Sequence, residues 1–212
     1  MKIFATCLIA GLALVPHLMA QSQVNYSASP GQRSVFLSNG TTPVANGNTV
    51  LIGTFDPSFQ ADVGQNADDP QTLFANWHTF GSTTISTIAG QPGRFTGSST
   101  STDPFFGNQK IYIWIFSTTG AAAPDTTDFN NVDEYSLYSA TAVNWFFSPD
   151  PPPSNLRTIN SSQITQSFYG TFDSTHLVLG NFNIVPEPSA LGLLSLGIPA
   201  VVLALRKRRS SR

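Results

Sequence analysis

The sequence predicts a mainly β protein: an antiparallel β-sandwich or barrel-like ectodomain with one short helix, plus an N-terminal signal peptide and a single C-terminal transmembrane helix. Three observations carry this. Between residues 21 and 184 Lys and Glu are almost absent, while Ser, Thr, Asn, Gly, Pro and Phe abound. Strand and turn formers thus replace the residues that usually coat helices. Short runs of strand-forming residues recur at intervals of roughly ten residues, with turn signals between them. Finally, charge-free apolar runs lie near both ends and not in the middle.

Residues 1–20 form the first unit. Met1 and Lys2 give a minimal positive start, residues 3–15 an apolar stretch, and Ala20 a small residue for cleavage. Cys7, the one cysteine of the chain, lies inside this segment. The mature chain therefore has no thiol for a disulfide, a nucleophile or a thiolate metal site.

Residues 21–184 form the ectodomain. Residues 21–32 read as a disordered or edge lead-in. Residues 34–38 and 49–55 read as strands around an Asn/Gly/Thr/Pro turn cluster. Residues 69–78 are the best helix, with Asp69 as cap, Pro70 at the first helical position, and Leu73, Phe74 and Trp77 on one face. Residues 83–88 and 94–98 read as a strand pair turning at Gly90-Gln-Pro-Gly93. Residues 110–117 give the strongest strand. Ile111, Ile113 and Ile115 point one way and Tyr112, Trp114 and Phe116 the other, so this strand should be central and covered on both faces. Residues 134–139 and 142–147 read as a further pair, the prolines at 149 and 151–153 as a loop, and residues 164–172 and 176–184 as closing strands.

Residues 185–212 form the last unit: Val185, Pro186, Glu187, Pro188 and Ser189, an apolar run at 190–205, and a basic tail at 206–212. The two prolines push Val185 and Glu187 toward extended geometry, giving a stiff strip that a processing enzyme could grip. The sixteen apolar residues span about 24 Å as a helix, short against a hydrocarbon core of about 30 Å unless flanking basic stems extend it. Arg206, Lys207, Arg208 and Arg209 argue for a cytoplasmic C-terminus. On spacing alone, an enzyme-read strip and a plain juxtamembrane spacer stand equal.

The three parts of this tail, in this order, resemble a PEP-CTERM sorting domain. The resemblance implies recognition by an exosortase, a membrane-embedded cysteine transpeptidase-like enzyme, in a Gram-negative host that makes extracellular polysaccharide. It implies export through the inner membrane, anchoring there by the C-terminus, removal of the tail near the Pro-Glu-Pro motif, and passage to the cell surface or matrix. The motif residues are then substrate. The order Gly53-Thr-Phe55, Pro57-Ser58-Phe59, Trp77, Ile111-Tyr-Ile-Trp114, Glu134-Tyr135 and Trp145-Phe146-Phe147 also resembles ectodomains of uncharacterised PEP-CTERM proteins, and it assigns no functional residues.

Composition excludes some function classes. From residue 21 to 184 eleven acidic residues face only Arg33, Arg94, Lys110 and Arg157. Such a surface repels nucleic acid, so no nucleic-acid partner is expected. Asp125, Asp128, Asp133 and Glu134, with Asn130 and Asn131, are the densest oxygen-ligand group and a weak Ca²⁺ candidate, but the acid-and-glycine pattern of an EF-hand loop is missing. Asp62, Asp68 and Asp69 read as a loop and a helix cap. His78 and His176 are the histidines of the mature chain, with no Gly-x-Ser-x-Gly or His-Glu-x-x-His around them. His78 reads as closing the short helix, a favourable place for it. Glu134 has no recognisable second carboxylate for glycoside hydrolysis. No motif calls for a cofactor, and no enzymatic activity is expected. Trp77, Trp114, Trp145, Tyr112, Tyr135 and Tyr138 could form a flat platform for sugar rings. The expectation is a non-catalytic structural or interaction role at the cell surface or in the matrix, with polysaccharide binding as the alternative.

Overall fold

The structure, a computed structural model, describes residues 22–149 and 156–182. The expected signal peptide, the motif at 185–189, the apolar run, the basic tail and most of the proline run lie outside the described residues. Among the described residues no helix is long and apolar enough to cross a membrane.

Among the described residues the protein is mainly β, with one α-helix. In chain order come β1 (Ser22–Ala28), β2 (Ser34–Phe36), β3 (Thr49–Phe55), α1 (Pro70–Ala75), β4 (Trp77–Thr84), β5 (Ser86–Ile88) and β6 (Gln91–Ser101). Then follow β7 (Tyr112–Thr118), β8 (Val132–Ser139), β9 (Leu156–Asn160), β10 (Gln166–Tyr169), β11 (Thr171–Phe172), β12 (His176–Val178) and β13 (Gly180–Asn181). One sheet has the order β5-β6-β1-β9. A second runs β10-β8-β7-β3-β4, with β13 also on β8, and a small third runs β11-β12-β2. This arrangement is consistent with a β-sandwich. It is not purely antiparallel as expected: β1 pairs with β9 in parallel, and β2 with β12.

The central strand behaves as its alternation dictates. β7 lies between β3 and β8. Ile111, Ile113 and Ile115 pack into one core with Val24, Tyr26, Val50, Ile52, Phe95 and Ile159 from both large sheets. Tyr112, Trp114 and Phe116 face the other way, into a second core with Phe55, Val63, Leu73, Trp77, Phe129 and Tyr135. The outer face of the larger sheet would meet water in a plain two-layer sandwich. Here α1 and the turns at 56–69 and 125–131 cover it, and Tyr135 ties the cover down by donating its hydroxyl to the carbonyl of Ala67 at 2.7 Å.

Four sequence expectations are corrected. The lead-in at 21–32 contains a full strand, β1, whose Val24, Tyr26 and Ala28 are buried at every second position. The helix ends at Ala75, not His78. Asp69 does cap it, accepting from the amides of Gln71 and Thr72. But Trp77 and His78 pair with Phe55 and Thr54 instead, because the β3–β4 ladder satisfies more backbone than one further helical turn. The turn after β5 is tighter than Gly90-Gln-Pro-Gly93. Ile88 pairs directly with Gln91, and Ala89 and Gly90, both at positive φ, make a two-residue hairpin. Residues 142–147 do not pair with β8. They hold a 3-10 turn, Val143–Trp145, and a single bridge from Phe146 to Lys110, which directs Trp145 and Phe147 into the core.

Candidate binding face

The proposed sugar platform does not exist as a surface. Trp77, Trp114, Trp145, Tyr112, Tyr135 and Tyr138 are all buried. Sequence reasoning recognised the aromatics, but strand alternation alone does not tell whether an outer face is covered.

Burial also changes the chemistry of these phenols. It pushes Tyr112 up to about 12 and raises Tyr135 and Tyr138 as well, Tyr135 with help from the negative charge of Tyr169, Asp68 and Asp69. The fold thus favours the neutral phenol. The stability this contributes is complete below the unfolded tyrosine value of about 10 and is lost as pH rises through the folded values. In an alkaline titration, tyrosinate absorbance from these residues should appear together with loss of β circular dichroism. Ionisation of the three well before unfolding would contradict the burial.

The acidic candidates are not brought together. Asp125 accepts from the Thr127 amide, Asp128 from the amide and side chain of Asn130, Asp133 from the Thr119 hydroxyl, and Glu134 from the amide and hydroxyl of Ser38 at 2.7 and 2.6 Å. Among the described residues no group of three or more His, Cys, Asp or Glu could hold a metal ion.

The histidines also have local partners. His78 lies in β4 and not at a helix end. Its Nε2 is 2.8 Å from Asp56 Oδ1, and its ring is 4.0 Å from that of Phe105. His176 opens β12, with Nδ1 3.3 Å from Asp173 Oδ2. Backbone amides of Thr175 and His176 donate to the Asp173 carboxylate and hold it well below the usual carboxylate range. Among the described residues neither histidine is hydrogen-bonded to a serine.

What remains as a candidate surface is the solvent face of the β5-β6-β1-β9 sheet. Tyr26 turns inward and lies against Gly97 of β6, where a Cβ would come within 2.4 Å of the ring. Its hydroxyl donates to the carbonyl of Ser82 at 3.0 Å and tethers β1 to β4. With Val24, Tyr26 and Ala28 inside, Asn25 and Ser27 are on the outer face. The register sets Asn25 beside Ser98 and Thr158, and Ser27 beside Thr96 and Asn160. An open groove of about 360 Å³ runs here, lined by Asn25, Ser27, Ser29, Thr96, Ser98 and Thr158 together with Tyr26 and Gly97. Among the described residues no charged side chain lines it. The side chains of Asn25, Thr96 and Thr158 make no hydrogen bond among the described residues. The signal for this face was the period-two alternation of Val24, Tyr26 and Ala28, hidden in a segment otherwise rich in Ser, Gln and Asn.

No family model matches the chain, and no curated protein and no solved structure matches it.

Proposed function

We propose that the chain is a secreted, exosortase-sorted protein of the Gram-negative cell surface or extracellular matrix, with a non-catalytic structural or interaction role. The observation that carries this reading is the order at 185–209: a Pro-Glu-Pro strip, an apolar run, then Arg206, Lys207, Arg208 and Arg209. The apolar leader at 1–20 gives the matching topology, with the β-rich domain outside and the basic tail inside. The exosortase is the processing partner, and the inner membrane is the site of anchoring before processing. A domain with almost no Lys or Glu and with extensive backbone pairing suits a durable surface component.

The test places a tag after Arg212 and follows the ectodomain with an antibody through cell fractions. The ectodomain should reach the surface or medium without the tag, while the tag stays with the inner membrane. Pro186→Ala with Glu187→Ala should leave both on one polypeptide in the inner membrane. Co-migration of tag and ectodomain in the unmutated protein would make the tail a plain anchor.

A second reading, a polysaccharide-binding module, is favoured by the uncharged hydroxyl and amide groove over β1, β6 and β9. It no longer draws on the tryptophans.

A further inference from the structure

We infer that the solvent face of the β5-β6-β1-β9 sheet binds a neutral polysaccharide strand, held by the side chains of Asn25, Thr96, Ser98 and Thr158. This deepens the second reading above and rests on it. The first argument is hydrogen-bonding capacity. Hydroxyls and carboxamides both donate and accept, as sugar hydroxyls do. Among the described residues the side chains of Asn25, Thr96 and Thr158 have no hydrogen-bond partner, and that of Ser98 has only a 3.5 Å contact from Gln23. These groups are therefore available to a ligand without breaking bonds inside the protein.

The second argument is charge. Among the described residues the groove lining is uncharged, whereas residues 21–184 as a whole carry eleven acids against four basic residues. An anionic polymer would be repelled by the surroundings and would find no cation among the described residues of the groove. A polycation would find no carboxylate there. A neutral polyhydroxylated chain meets neither penalty.

The third argument is placement. β1 is hydrogen-bonded on both sides, to β6 and to β9, so the central row is fixed by two ladders. Rows of side chains on such a face repeat about 4.8 Å across the strands and about 6.7 Å along them. The row Ser98–Asn25–Thr158 and the row Thr96–Ser27–Asn160 therefore offer a regular grid, which an extended polymer can engage at several points. At the rim of the same face, Leu156, half exposed beside Gln23, adds an apolar contact for the C–H side of a sugar ring. Each contact is weak by itself. Many copies on one surface would add up through avidity.

The experiment uses the full-length chain in a zwitterionic, sugar-free detergent, because glycosidic detergents would compete. Cellohexaose, mannohexaose and dextran are the neutral probes, and alginate is the charged one, with binding followed by titration calorimetry. At least one neutral probe should bind. The triple variant Thr96→Val, Ser98→Ala, Thr158→Val should weaken it by about tenfold or more, since it removes three exposed hydrogen-bonding groups. Valine keeps the strand preference, and an unchanged melting curve shows that the fold is kept. Thr126→Val, an exposed threonine in the 125–131 turn, should leave binding unchanged. If the triple variant melts early, Thr158→Glu alone serves, with binding again expected to fall. The inference is overturned if no neutral probe binds at millimolar concentration, if alginate alone binds, or if the triple variant binds as well as the parent. It is also overturned if the face proves to be a contact between two copies, seen as a dimer in sedimentation that the triple variant dissociates. Because the measurement uses purified unprocessed chain, it can fail while the tag experiment succeeds, and the reverse.

Discussion

Trp114→Ala should destabilise the β-rich domain by about 3–5 kcal/mol, the range for deleting a large aromatic from a packed interior. Trp114 is fully buried, with ring centroids 5.0 Å from Phe116, 5.4 Å from Trp77 and 6.1 Å from Tyr135. Phe55, Phe74 and Phe129 complete the surround. Removing the indole leaves a hole in the middle of the second core, bounded by a sheet that cannot bend and a cover that can sag only in part. Domains are commonly stable by only about 5–15 kcal/mol, so the loss consumes much of the total. Among the described residues the indole Nε1 has no hydrogen-bond partner, so Trp114→Phe deletes an unpaired donor along with part of the ring. It should therefore cost less than half as much as the alanine. Denaturant midpoints by circular dichroism decide both. An alanine variant within about 1 kcal/mol of the parent would mean that the aromatic layer is not a packed core.

Gly53→Ala should cost about 3 kcal/mol, at the upper end for overpacking, although it adds only a methyl group. A Cβ at Gly53 would lie 2.2 Å from the backbone oxygen of His78 and 2.6 Å from Cζ2 of Trp77. The carbonyl belongs to the paired strand and cannot rotate away. The β3–β4 ladder must therefore shift at the register irregularity between Ile52 and Gly53, and the indole must leave its place in the core. Gly64→Ala is the matched control. The nearest atom there is Cδ1 of Phe168 at 3.8 Å, an ordinary contact, so stability should change by no more than about 0.5 kcal/mol. Equal midpoints for the two variants would disprove the close approach at Gly53.

Where side-chain pattern alone decides structure, the sequence was informative. Residues 49–55 form a strand with the boundaries expected, and the two-faced alternation of Ile111 to Phe116 places β7 at the centre of its sheet. The Asp69-Pro70 pair marks the helix start because one side chain and one ring suffice to begin a turn. The misses have a common cause. β1 and β9 each bury few residues, and their strand character comes from partners more than 60 residues away. Trp77 sits in a helical pattern locally but has a strand partner, Phe55, that local pattern does not show. The candidate groove was not legible for the same reason: its polar side chains come from three strands distant in the chain, and each strand by itself looks like an ordinary hydrophilic edge. The aromatic platform was misplaced because a buried and a displayed tryptophan have the same letter.

The two parallel pairings bear on the timing of assembly. A ribosome completes Gln23 long before Leu156, and Ser34 long before His176, yet these residues are neighbours in the finished sheets. Closing such long segments is entropically costly and slow. A nascent chain therefore keeps β1 and β2 with one side vacant until nearly all of the β-rich region has been made. Late closure makes an early-terminated polypeptide a source of open strand edges and hence of aggregation.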